Sequence, residues 1–304
     1  MNCTLEKAAK LLLERKNFIF LCHARPDGDT VGSAYALKYA LEAVGKTAQV
    51  LCADAIPARL EFLTALDGEG EKNAESLGDK PFVCAIDVAE LHLLGHNAER
   101  YGAAIGLKVD HHHVGSEYGK YNYIDGKAAA CGEIIYKLIR RLEEMRGAKM
   151  TPAACTALYA AIASDTGCFK YSNVTSTTLR IAAELKARQF MLNNTEYYAD
   201  GRLALLIITS DFRRVSGASD DDVGGLVSEM RETEGVELAI TLKQDVDAPE
   251  KFKISMRSGL NISSSELCKM FGGGGHERAA GASVEAATPQ LAKSAVLERV
   301  LKAI

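Results

Sequence analysis

The sequence has no closely spaced cysteine pair, no excess of positive charge, no membrane-length apolar run and no internal repeat. Each absence removes a class of function. Its eight cysteines, Cys3, Cys22, Cys52, Cys84, Cys131, Cys155, Cys168 and Cys268, are scattered singly, which fits neither a zinc knuckle nor a disulfide framework. Small buried thiols in a reducing, cytoplasmic compartment are expected instead. A net charge of -4 argues against a basic surface that tracks long nucleic acid through its phosphates. Any phosphate-bearing ligand must then be handled locally. The first residues, MNCTLEKAAKLLLERKNF, read as a charged amphipathic helix and lack the uninterrupted apolar core of a signal peptide, so no membrane partner is expected and the sequon at Asn173 is incidental. What remains is an ordinary globular composition, 47% hydrophobic and 25% charged over 304 residues, enough for one large domain or two ordinary ones.

Apolar runs at 18–22, 48–52, 82–86 and 105–109 have the nearly continuous character of strands buried on both faces. Between the first two, VGSAYALKYALEAVG places Ala34, Leu37, Leu41 and Val44 at helical spacing and ends at Gly45. This strand–helix–strand grammar predicts a doubly wound, mainly parallel α/β sheet. Helices are expected at 132–147, 152–165 and 176–189. Strands with polar interruptions follow at 202–210, 235–244 and 251–259, with a helix near 222–232, which predicts a smaller α+β domain. The expected division is 1–192, a linker at 193–201, and 202–304. The acidic run SDDDVGG (219–225) reads as a solvated helix start.

Only seven histidines are present, yet three stand in a row in GLKVDHHHVGS, directly after an aspartate and an apolar stretch. Adjacent imidazoles gain little as core packing. Ligands of parallel sheets bind beyond the carboxyl ends of the strands, and there the first strand runs into His23, Arg25, Asp27 and Asp29, the third into Asp87, and the fourth into Asp110, His111, His112 and His113. Asp165 ends an apolar helix before a glycine turn. Singly, each aspartate could be a turn or cap residue. Gathered in one crevice, four carboxylates would repel unless cations were present, and two divalent ions would neutralise them. Carboxylate and imidazole without thiolate suit Mn2+, with Mg2+, Co2+ or Fe2+ admissible. Such a pair, about 3.5–4 Å apart and sharing one carboxylate, activates water for in-line attack at phosphorus.

HARPDGD with TVGSAYAL, AIDVAE, VDHHH and AIASDTGCFKYSNVT resemble, in order, the four motifs of the DHH phosphoesterase family, and KISMRSG with FGGGGHERAAGAS resembles its DHH-associated second domain. The resemblance is strongest to the group acting as oligoribonucleases and 3′-phosphoadenosine-5′-phosphate phosphatases. It implies an active site in the cleft between two domains, with one metal on His23, Asp27 and Asp87. A second would lie on Asp29, Asp87, His111 and Asp165, so that Asp87 is the bridge. Asp110 would orient a ligating histidine, and His112 would face the scissile phosphate. His113 is expected to be a polar linker, and Arg25 to balance the carboxylates. Arg257, Gly273, Gly274, Gly275, His276 and Arg278 would form the substrate clamp, the glycines presenting backbone N–H groups to an anion at the start of a helix. His92 and His96 have i, i+4 spacing, but Gly95 between them points to a surface pair. The segment after Asp165 is shorter than the resemblance leads one to expect.

The implied function is a two-metal Mn2+ phosphodiesterase releasing mononucleotides from very short oligonucleotides, with removal of the 3′-phosphate of a nucleoside bisphosphate as a candidate second activity. Homodimerisation is compatible with the resemblance. A linear or cyclic dinucleotide phosphodiesterase is the alternative within the same chemistry. A non-catalytic nucleotide-binding sensor is the alternative outside it, disfavoured by so many candidate ligands. Inorganic pyrophosphatase is disfavoured by the second domain.

Overall fold

The computed structural model describes residues 1–66 and 80–304 and divides into two compact units, Met1–Leu185 and Lys186–Ile304. In the first, strands β1 (Asn17–Leu21), β2 (Thr47–Leu51), β3 (Phe82–Ile86), β4 (Ile105–Asp110) and β5 (Tyr121–Ile124) form one parallel sheet in the order β2-β1-β3-β4-β5. The four expected strands are present, and β5 is added at the edge. Helices α1 (Leu5–Leu13), α2 (Gly28–Glu42), α3 (His96–Tyr101), α4 (Cys131–Glu144) and α5 (Pro152–Asp165) surround the sheet, and α6 (Ser176–Asn194) crosses into the second unit. Chain order reverses between β1 and β3. In open α/β sheets that switch point is where ligands bind, past the carboxyl ends of the strands.

Helix α2 is buried on nearly every side, from Gly28 to Leu41, as its run of small and apolar residues requires. Its first turns press against α5 so closely that a Cβ on Gly28 would meet Ser164 at 2.7 Å, and one on Gly32 would meet the Ala157 carbonyl at 2.6 Å. Gly132 of α4 is equally tight against Ala161 of α5, at 2.9 Å. These small residues bring together the N-termini of α2 and α4 and the C-terminus of α5. Thr30 Oγ1 donates to the Ile86 carbonyl at 2.8 Å and fixes the start of α2 to the end of β3.

The second unit has a mixed sheet built from β6 (Glu196–Tyr198), β7 (Leu203–Ile208), β8 (Leu238–Gln244), β9 (Lys251–Ser258), β10 (Gly274–His276) and β11 (Ala279–Glu285), in the order β10-β11-β9-β8-β7-β6. Its helices are α7 (Ser210–Ser216), α8 (Asp220–Gly224), α9 (Leu226–Arg231), α10 (Ser264–Lys269) and α11 (Pro289–Val300). The helix expected near 222–232 is two short helices divided at Gly224 and Gly225. The acidic run does start a helix, with Ser219 and Asp222 forming a capping box. Residues 193–201, expected as a linker, instead hold the end of α6 and strand β6, which pairs with β7 through Glu196, Tyr197 and Tyr198. Among the described residues no helix is long and apolar enough to cross a membrane.

Candidate metal centre

The first unit gathers His23, Asp27, Asp29, Asp87, His111 and Asp165 at the switch point, each delivered by the end of an element. His23 follows β1, Asp87 follows β3, His111 follows β4, Asp27 and Asp29 open α2, and Asp165 closes α5. Three overlapping groups have ligand atoms within 4.8 Å of one another: His23, Asp27 and Asp87; Asp29, His111 and Asp165; and Asp87, His111 and His112. Asp87 belongs to two of them. Its Oδ2 lies 3.9 Å from His23 Nε2, and its Oδ1 lies 3.5 Å from His111 Nε2.

Asp27 divides its oxygens. Oδ1 caps α2 by accepting from the N–H groups of Asp29 and Thr30 at 3.0 and 3.1 Å, while Oδ2 faces His23 Nε2 at 3.7 Å. The turn-and-cap role and a ligand role therefore coexist in one side chain. Asp29 is fully buried and accepts from the backbone N–H groups of Cys131 (2.6 Å) and Gly132 (2.9 Å) and from Ser33 Oγ (3.0 Å). Ala130, the N-cap residue of α4, offers no side-chain bond, so Asp29 supplies that helix with its cap from another element. Asp87 adopts a left-handed φ of 58° at the strand end while its N–H donates to the Val109 carbonyl, a backbone strain typical of functional sites.

Electrostatics show what the cluster requires. Burial, then the charges of Asp29, Asp27, Asp165 and Asp110, push Asp87 well above the usual carboxylate range. Burial and the charge of Asp165 raise Asp29 to about 7 despite the two α4 N–H groups. Burial works against protonated His111, but Asp165 and Asp29 overcome it and raise the imidazole to about 9. Burial likewise opposes a rise at His23, but the contact with Asp27 outweighs it and the imidazole is raised. Asp87 Oδ1 and His111 Nε2 are buried without a hydrogen-bond partner among the described residues. His111 Nδ1 lies 3.4 Å from the Ala128 carbonyl, so once the imidazole gives up its second proton and keeps the one on Nδ1, the bare Nε2 points into the carboxylates. Orphaned acceptors converging in this way fit a cation and have no other evident use.

The next histidine is positioned differently. Asp110 was expected to orient a ligating histidine, but the ring its Oδ1 accepts from is that of His112, through Nδ1 at 2.7 Å, while His111 donates to Oδ1 only its backbone N–H, at 2.9 Å. The reason is the turn after β4, which folds His112 back over the buried carboxylate. Burial would raise the Asp110 pKa, but His112 and Lys108 hold it below the usual range. Lys108 was not singled out in the sequence. It is buried, its Nζ lies 3.1 Å from Asp110 Oδ2, and it donates to the carbonyls of Ala89 and Ser116. A lysine inside an apolar strand, two residues before an aspartate and so on the same sheet face, was the available signal. His92 and His96 are exposed and separated by Gly95 at φ 57°, as expected of a surface pair. Arg25 is exposed, and its N–H bonds Asp54.

In the second unit, His276, Ala279 and Arg257 are directly paired across β10, β11 and β9, so Arg257 and His276 lie on one sheet face. Arg278 occupies the turn between β10 and β11, where its carbonyl accepts from Ser258 N–H. The glycine run does not begin a helix. Gly272 and Gly273 follow the C-terminal end of α10, donating to the carbonyls of Lys269 and Cys268, and Gly274 and Gly275 enter the hairpin. A Cβ on Gly273 would meet the Gly281 carbonyl at 2.2 Å. These glycines permit a backbone crossing, and the dipole end beside them is the one that repels anions. The expected cradle of backbone N–H groups at a helix start is therefore not formed by these glycines.

Comparison with known proteins agrees with this arrangement. Residues 17–162 match the DHH family, N-terminal domain, and residues 208–304 match the DHHA1 domain. A protein of Thermus thermophilus named bifunctional oligoribonuclease and PAP phosphatase NrnA is 30% identical, over 91% of this chain and 87% of the relative. Its namesake in Bacillus subtilis is 26% identical over 86% and 87%. The fold resembles an exopolyphosphatase-related protein from Bacteroides fragilis with a TM-score of 0.52 at 21% identity, covering 98% of this chain and 95% of that one.

Proposed function

From the premise that this chain belongs to the DHH family and carries a DHHA1 domain, we propose that it is a Mn2+-dependent phosphoesterase that releases mononucleotides from very short oligonucleotides. Removal of the 3′-phosphate from a nucleoside 3′,5′-bisphosphate is its second activity. The observation that carries this reading is the pair of orphaned buried atoms, Asp87 Oδ1 and His111 Nε2, facing each other at 3.5 Å among four carboxylates.

His23, Asp27 and Asp87 would hold one cation, and Asp29, Asp87, His111 and Asp165 the other. A bound pair supplies charge neutralisation at the phosphate and a water acidic enough to attack it. The chain's own contribution lies in orientation. Lys108 keeps Asp110 ionised, Asp110 fixes His112 through Nδ1, and Nε2 of His112 is left to meet a phosphate oxygen. Arg257 and His276, with Arg278 beside them, form a donor face suited to the nucleotide end of an oligonucleotide away from the metals. The net charge of -4 favours ligands of a few nucleotides over long strands.

The test is product chromatography with metal-stripped protein, with and without Mn2+, on a 5′-labelled trinucleotide, a linear dinucleotide, a nucleoside 3′,5′-bisphosphate and a long single strand. Mn2+-dependent release of mononucleotides from the trinucleotide, with the long strand untouched, is expected. Turnover of the dinucleotide alone would replace this reading with a dinucleotide phosphodiesterase. Ligand binding without any product would replace it with a sensor.

A further inference from the structure

Beside the metal cluster, and wholly within the first unit, lies an open pocket of about 560 Å3 that shares His111 and His112 with the cluster. The segment after β4 supplies His111, His112 and His113 to its wall, and two further segments complete it, one after β5 and one after α5. Asn173 ties them together, its Nδ2 donating to the carbonyls of Ala129 and Asp165 at 3.0 Å each. The pocket is therefore built onto a candidate metal ligand rather than left to a free loop. His113 also lines it, held so tightly on Gly126 that a Cβ there would come within 2.5 Å of the ring.

The chemistry of the lining is one-sided. Lys127, His113 and the Ser172 hydroxyl bring donors to it, and no carboxylate lines it. The nearest acid in sequence, Asp125, is already engaged: Oδ1 accepts from the Lys127 backbone N–H, and Oδ2 pairs with Lys137 at 3.2 Å. The Lys127 ammonium pairs with no carboxylate among the described residues and is exposed. A free cation with imidazole and hydroxyl donors suits a phosphate, and Ala128 and Ala129 offer the apolar contact a ribose needs. The volume lies in the range of small-molecule sites.

Resting on the phosphoesterase reading, we propose that this pocket binds the ribose and the second phosphate of the substrate, next to the phosphate under attack. Lys127 is the cation of this subsite and His113 its second donor. It makes a second phosphate, one nucleotide unit from the scissile one, a requirement for efficient turnover.

Adenosine 3′,5′-bisphosphate and adenosine 3′-monophosphate present the same scissile group with and without that second phosphate. The experiment compares kcat and KM of wild type, Lys127→Ala and His113→Ala on both, with melting temperature and bound Mn2+ as controls. A charge-assisted bond of this kind corresponds to about tenfold or more in binding. Wild type should therefore prefer the bisphosphate by at least about that factor, and Lys127→Ala should lose the preference through KM while the monophosphate reaction stays within about twofold. An equal change on both substrates, or none, overturns the proposal. If wild type turns over neither, the phosphoesterase reading fails separately, and equilibrium binding of adenosine 5′-monophosphate decides the pocket. Tighter binding by wild type than by Lys127→Ala upholds a phosphate site, and equal binding overturns it.

Discussion

A carboxylate oxygen buried without a donor destabilises a fold unless something positive reaches it, and Asp87 Oδ1 is such an oxygen, 3.5 Å from His111 Nε2 and 3.6 Å from His112 Nδ1. Asp87→Asn keeps the size and removes the charge. It should leave the chain folded, with a higher melting temperature in the absence of metal, and lower kcat at least about a hundredfold, measured on a trinucleotide with Mn2+ in excess. Lys108 tests the neighbouring relay. Lys108→Met would leave Asp110 buried without its cation, costing about 3–5 kcal/mol by analogy with broken buried pairs. Chemical denaturation should show that loss, and kcat should fall more than KM changes, because His112 loses its orientation. The histidine run and the spaced aspartates were legible because they fall together past the ends of successive strands and in the order of a family's motifs, although each alone has a bland explanation as a turn or cap. Lys108 escaped notice because the apolar residues around it dominated the pattern.

The contact of α2 with α4 and α5 sets the distances in the cluster, since it brings Asp29 and Asp165 to the same His111 Nε2, at 3.8 and 3.3 Å. Gly32→Val should destabilise the protein by about 1–3 kcal/mol, the usual range for overpacking. The atom in the way is the Ala157 carbonyl, which cannot rotate aside. Mn2+ affinity should fall with it, readable by titration of the purified variant. All of α2, α4 and α5 were legible as helical stretches, α2 from its spacing and the glycine that ends it, but not their crossing, because glycine and alanine in a helix carry little signal about which neighbour they face. The glycine run before His276 was misplaced for a related reason. AAGASVE has weak strand propensity of its own and becomes β11 through seven pairings with β9, a non-local fact.

Across the whole molecule, the metal-free cluster ties stability to pH. Asp29 is raised from 3.8 to about 7 and His111 from 6.5 to about 9. For both, the protonated form is favoured in the folded state. Their contribution is fully present below the unfolded pKa and is lost as pH rises through the folded one. Metal-free protein should therefore lose stability progressively between about pH 4 and pH 9, with Asp29 alone corresponding to roughly 4 kcal/mol. Cations reverse the sign, because binding displaces those protons. The melting-temperature gain on adding Mn2+ should be larger at pH 8.5 than at pH 6, and equal gains would show that His111 and Asp29 are not ligands. The division into an α/β part and an α+β part was legible from the change in strand character near residue 200. Strand order, the edge strands β5 and β6, and the continuity of α6 across the division were not, since pairing partners lie far apart in sequence.

The central claim is that two cations share Asp87, and Mn2+ stoichiometry tests it most directly. Metal-stripped wild type and Asp87→Ala would be titrated with Mn2+ while free ion is followed by electron paramagnetic resonance. Two tight sites per chain are expected in wild type, and the loss of both in Asp87→Ala. Two sites of unchanged affinity in Asp87→Ala, or none in wild type, would contradict it.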